Sequence, residues 1–262
     1  MKLEHKYIIG THVMFYEVDM VADHVQSICN ALDTIDNTDN VRVDLFFNVS
    51  EYFEKIDTSK ITKDELIAKF LKLVETIPCE TTYKIYDDDA PYTMVDYRRD
   101  LNYFNCTKFD YVIWGESDCL LPKEVFHSLE QIKQYASQNG IHRYVTTFAI
   151  RKMWDESWKV LEHVDMTDKP VHEKHIPGTR TLNPKAYSEP YSIRYTMSNE
   201  EMNEINSKYS EFDIQIISHP QFDGSGLVLS SDLLKNGVNI PHCIMGHLVD
   251  DTSMMHSCKQ QM

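Results

Sequence analysis

The chain has 262 residues, 42% of them hydrophobic and 11% aromatic, enough to bury a full core in one large domain and too apolar for a disordered tail. Its 26 Lys and Arg against 41 Asp and Glu leave a net charge of −15, a field that repels nucleic-acid phosphates unless a local basic groove overrides it. No apolar run approaches the roughly 18 to 20 residues that span a bilayer, and MKLEHKYIIGTHV at the amino end lacks the apolar segment and cleavage site of a signal peptide, so a cytoplasmic protein is expected.

In chain order, Lys6 to His12 predicts a first strand, and Val21, Val25, Ile28, Ala31 and Leu32 give one apolar face to a helix from about Val18 to Leu32. Val41 to Val49, VRVDLFFNV, is a second strand. Strand, helix, strand in succession argues for a parallel sheet with right-handed crossovers. Thr62 and Glu65 form a capping box that opens a helix to about Ile77, and Thr82 to Tyr86 is a third strand. The acidic Asp87 to Asp89 precedes Ala90 and Pro91 and fits an exposed turn better than a metal site. A helix from about Thr93 to Phe104 carries Arg98 and Arg99.

Phe109 to Pro122 follows, FDYVIWGESDCLLP. Its first half is a continuous apolar run of the kind buried on both faces of a parallel sheet. Gly115 ends it, and Glu116 and Asp118 then place two carboxylates one residue apart at the strand's carboxyl end, the edge at which open α/β sheets bind ligands. Two oxygen ligands so spaced suit a hard divalent cation that also holds a phosphorylated substrate; they equally suit a helix N-cap and a solvated turn before a helix opening at Pro122.

That helix runs to Gln138, and Arg143 to Ile150 is the next strand. From Arg151 to Met197 the periodicity loosens, which marks an irregular insertion; His172 and His175 within it read as a surface histidine cluster. Ser198 with Glu201 caps a short helix to about Tyr209, and Asp213 to Ser218 is a strand. The six cysteines, at 29, 79, 106, 119, 243 and 258, form no C-x-x-C pair and fit free thiols, with Cys119 a packed one.

This order of elements resembles the GT-A glycosyltransferases, and the acidic turn resembles that of family 2-like members with a variant of D-x-D, Glu116-Ser117-Asp118. The resemblance implies a Rossmann-like αβα sandwich with a mostly parallel sheet, in one domain over 1–262. Residues 1–122 would be the nucleotide-sugar donor half and 123–262 the acceptor half. It implies transfer of a sugar from a nucleotide diphosphate donor, UDP being the expected nucleotide, to a glycan or other hydroxyl-bearing acceptor, with inversion. Nucleic acid as acceptor is disfavoured by the charge. Asp118, Glu116 and His256 would hold Mn²⁺ or Mg²⁺. Gly10, Thr11, Asn48, Arg98, Arg99, Glu116 and Ser117 would lie on the donor, and Asp223, Gly224 and Gly226 on the acceptor side. Asp251, with Asp250, would be the catalytic base. Two alternatives stay open: a nucleotidyltransferase, for which GTHVMFYEVD supplies too little glycine and no Lys or Arg, and a non-catalytic nucleotide- or glycan-binding module of the same fold.

Overall fold

The computed structural model describes residues 1–148, 150–151, 224, 226–242 and 250–260. Its strands are β1 (Tyr7–Met14), β2 (Val41–Asn48), β3 (Glu80–Tyr86), β4 (Tyr111–Gly115), β5 (Cys119–Leu120), β6 (Val145–Thr147), β7 (Ile150–Arg151) and β8 (Leu227–Ser230). Its α-helices are α1 (Val21–Leu32), α2 (Lys63–Glu75), α3 (Met94–Asn105), α4 (Val125–Gln138), α5 (Ser231–Lys235) and α6 (Asp250–Lys259), and a 3₁₀ turn, Phe15–Glu17, follows β1.

Six strands form one sheet in the order β3-β2-β1-β4-β8-β6. β1 to β4 run parallel; β8 is antiparallel to β4, and β6 to β8. The period-2 alternation of side chains then decides the layers. Ile9, Val43, Phe47 and Ile113 point to the face covered by α1, α2 and α4. Their neighbours Ile8, Phe46, Val112 and Trp114 point to the face covered by α3, α5 and α6. Two apolar layers sandwich the central strands, which is why β4 carries an unbroken apolar run. The expected αβα sandwich with a mostly parallel sheet is what the chain forms.

Local chemistry sets the element ends. The box predicted at Thr62 forms: Thr62 Oγ1 accepts from the Glu65 amide at 3.3 Å, and Glu65 Oε2 accepts from the Thr62 amide at 2.8 Å. Thr93 and Asp96 make a second box at the start of α3. The Asp87 to Asp89 turn is exposed, as expected, with Asp87 held by Lys63 at 2.7 Å. Two expectations are corrected. Pro122 does not begin a helix, because the two-residue β5 pairs with β7 and α4 opens only at Val125. The strand expected from Arg143 to Ile150 is two short strands in different sheets. The irregular insertion, the Ser198 cap, the Asp213 strand and Asp223 lie outside the described residues. Cys29, Cys79, Cys106 and Cys258 are free thiols, and Cys119 is buried. No helix among the described residues is long and apolar enough to cross a membrane.

Candidate functional site

Strand order reverses beside β1: β2 and β3 follow it on one side and β4 lies on the other. Such a reversal leaves a crevice at the carboxyl ends of the two strands. On one side β1 ends at Met14 and turns through Phe15–Glu17; on the other β4 ends at Gly115 and the chain folds back through Glu116, Ser117 and Asp118 into β5, the Cys119 amide donating to the Glu116 carbonyl at 3.0 Å. The two acids therefore stand in a buried strand-to-strand turn rather than at a helix N-cap.

Helix α1 fixes that turn from behind. The His24 ring bridges Thr11 Oγ1 at 2.9 Å and the Cys119 carbonyl at 2.7 Å. A carbonyl only accepts, so Nδ1 carries the proton and Nε2 accepts from the Thr11 hydroxyl. Ser27 Oγ accepts from the Leu121 amide at 3.0 Å. This ring is neutral: burial lowers the His24 pKa to about 4, against the hydrogen bond to Cys119 and the charge of Glu116, which raise it.

The crevice opens as a cleft of about 450 Å³ whose lining includes His12, Glu17, Phe53, Glu54, Tyr92, Glu116, Ser117 and Asp118. Four of these are carboxylates, and no Lys or Arg lines the cleft among the described residues. Glu17 accepts from the Met14 amide at 2.8 Å. Burial, with the repulsion of Asp118 and Glu116 behind it, pushes the Glu17 carboxyl up to about 7 against hydrogen bonds from Met14 and Ser117. His12 stacks on Phe46 with ring centroids 5.4 Å apart, and burial and the nearby Arg98 charge lower its pKa to about 4. The lining thus sets the rings of His12, Tyr16, Phe53 and Tyr92 among four acidic side chains.

The residues expected on the donor separate into two groups. Glu116, Ser117 and Asp118 line the cleft. Gly10, Thr11 and Asn48 do not: Gly10 lets α3 approach β1, since a Cβ there would stand 2.2 Å from Leu101 Cδ2, Thr11 is spent on His24, and the Asn48 amide donates to the Tyr92 carbonyl at 3.1 Å and accepts from Ser50. Arg99 ion-pairs with Asp96.

Arg98 departs from the exposed helix face that its setting in α3 would equally allow. It is 1% exposed, lies 4.8 Å over the Trp114 ring, and pairs with both Glu116, at 2.8 Å, and Asp250. Burial opposes its charge, but the two carboxylates outweigh burial and hold its pKa above the ordinary value. Asp250 and Asp251 open α6. Burial raises the Asp251 pKa, helped by Asp250 and opposed by the Thr252 amide. Gly224 packs on Arg98 and Glu116, and Gly226, with φ of 58°, takes the left-handed turn into β8. His256 is exposed on α6 and is not among the cleft residues.

Glu17 was missed from the sequence although Asp19 follows it in MFYEVDM at the same spacing as Glu116 and Asp118; that acidic pair just past the end of β1 was the signal. Among the described residues no three His, Cys, Asp or Glu side chains are grouped to hold a metal ion by themselves. That arrangement still fits Mg²⁺ or Mn²⁺ carried by a phosphorylated ligand, since such ions take one or two carboxylates and complete their shell with water and phosphate oxygens.

No family model and no curated protein matches the chain. Among solved structures, Staphylococcus aureus TarS 1-349 in complex with UDP-GlcNAc is 12% identical over 97% of this chain and 53% of its own, with a TM-score of 0.41. A putative nucleotide-diphospho-sugar transferase from Desulfovibrio desulfuricans G20 is 11% identical over 53% of this chain and 56% of its own, with a TM-score of 0.27. The chain spans about half the length of the TarS structure. Identities and TM-scores this low do not carry an activity from one protein to another.

Proposed function

We propose that the protein is a metal-dependent glycosyltransferase that moves a sugar from a nucleoside diphosphate donor, a UDP-sugar in the first instance, to an acceptor hydroxyl. The observation that carries this reading is the acid-lined cleft at the strand-order reversal, with aromatic rings and no Lys or Arg among its described lining residues. A diphosphate cannot enter four carboxylates unaided. Asp118 and Glu116 would hold a divalent cation there, and its positive charge would offset the repulsion between the carboxylates and the diphosphate.

Asp118 and Glu116 are the residues that would hold the ion, with Glu17 beside them. When bound, the ion would supply charge neutralisation of the departing diphosphate. Tyr92 and Phe53 in the lining offer flat apolar faces to a base or a sugar ring. Asp251, its basicity raised by burial, is the residue proposed to take the acceptor proton for in-line attack and inversion. Arg98 is not assigned to the diphosphate, because its guanidinium is already divided between two carboxylates.

The test is release of nucleoside diphosphate from a panel of UDP-sugars with Mn²⁺, in the parent protein and in Asp118→Asn and Asp251→Asn. The expected result is turnover in the parent and a fall of about a hundredfold or more in each variant, the range for loss of a positioned acid–base or metal-binding group. Turnover that is unchanged in both variants would overturn the assignment. Pyrophosphate release from a nucleoside triphosphate and a sugar phosphate would replace it with nucleotidyl transfer.

A further inference from the structure

Arg98 joins segments far apart in the chain. Its Nη2 donates to Glu116 Oε1 at 2.8 Å and to the Gly224 carbonyl at 3.3 Å, while Nη1 donates to Asp250 Oδ2. Glu116 belongs to the cleft turn, Gly224 precedes β8 and Asp250 opens α6. The space is full: a Cβ on Gly224 would stand 2.5 Å from Nη1 and 3.2 Å from Glu116 Oε1. The guanidinium also lies over Trp114, whose Nε1 donates to Asn102 Oδ1 at 2.9 Å, so one face of the guanidinium and its edge are committed.

One buried cation shared by two buried anions is an electrostatic balance in a site that water does not screen. Arg98 is common to the hold on both carboxylates. We infer that Arg98 is a positioning residue that couples the cleft turn to the carboxyl-terminal helix α6, dividing one guanidinium between Glu116 and Asp250 so that a charge drawn to either is felt at the other. A cation that reaches Glu116 from the cleft competes with Arg98 for the carboxylate, and Arg98 then holds Asp250, and with it the first turn of α6, more firmly. The coupling is reciprocal. Removing the Asp250 charge leaves Arg98 to Glu116 alone and weakens the hold of Glu116 on a cation. This rests on the cation reading of the cleft only in the choice of Mn²⁺ as probe.

Two measurements test it. The first is a urea-unfolding cycle with the isosteric variants Glu116→Gln, Asp250→Asn and their combination. Each single variant leaves Arg98 one carboxylate, whereas the double leaves it none among the described residues. The folding equilibrium of the double variant should therefore fall at least tenfold below the product of the two single effects. Simple multiplication of the single effects would overturn the coupling. The second is Mn²⁺ binding to the whole chain with UDP present, followed by electron paramagnetic resonance and by amide exchange over residues 250–260. Asp250→Asn should weaken Mn²⁺ binding about tenfold, and the control Asp232→Asn on α5, paired with Lys235, should leave it unchanged; in the parent, Mn²⁺ should slow exchange in α6. Equal Mn²⁺ affinity in Asp250→Asn and the parent, with α6 exchange indifferent to the ion, would also overturn the coupling. Absence of Mn²⁺ binding to the parent overturns the cation reading, and the unfolding cycle then decides the coupling.

Discussion

His12 and His24 stand on either side of β1 and are both neutral, with pKa values lowered from 6.5 to about 4 chiefly by burial. The unfolded chain takes up protons on these rings near 6.5, whereas the folded protein does so only near 4. Between those values the unfolded state binds more protons, so stability falls as pH is lowered from 6.5 to 4, by about 3 kcal/mol for each ring. Glu17, raised from 4.5 to about 7, acts in the opposite sense between those values, because its folded form binds the extra proton. Replacing a single histidine isolates its share. In His24→Gln, urea unfolding at a series of pH values should show a smaller loss of stability between pH 6.5 and 4 than in the parent. An identical loss would mean that the His24 ring takes its proton at the same pH in both states. Lowered stability of the variant at neutral pH is expected as well, since the Thr11 and Cys119 contacts of the imidazole are rebuilt imperfectly.

At the scale of the element, α3 positions the most, because it approaches β1 without an intervening side chain at Gly10. Leu101 Cδ2 and Tyr97 Oη would stand 2.2 and 2.8 Å from a Cβ there, and both residues are buried. Gly10→Ala should cost about 2 kcal/mol by overpacking, and Leu101→Val in the same chain should recover part of it. Additive losses in a thermal-melt comparison would show that the two positions do not meet. The elements β1 to β4 and α1 to α4 were legible in the sequence to within a few residues, because apolar periodicity, the Thr62–Glu65 box and the Gly115 stop are local signals. The β4 run was read as buried on both faces, and it is. What misled was Pro122, a helix-start signal overridden by the pairing of β5 with β7, which no local pattern reports. Arg98 was hidden for the same reason: its partners lie 18 and 152 positions away, and an arginine on a helix looks alike whether solvent or two carboxylates face it.

At the scale of the whole molecule, the sheet brings the turn after β4 and the turn after β1 to one edge and leaves a cleft between them. Half of that site was legible. Glu116, Ser117 and Asp118 declare themselves by following a buried strand, whereas Glu17 is set against them only by the parallel pairing of β1 with β4. Gly10, Thr11 and Asn48 lie near the edge by sequence, but their side-chain positions are taken up by α3, His24 and the Tyr92 loop. An acidic cleft of this kind should bind a nucleoside diphosphate only in company with a divalent cation. Calorimetry with a panel of nucleoside diphosphates, each with and without Mn²⁺, tests that most directly. Binding of at least one of them that tightens tenfold or more with Mn²⁺, and loses that gain in Asp118→Asn, is the predicted result; no metal-enhanced binding to any member of the panel would contradict it.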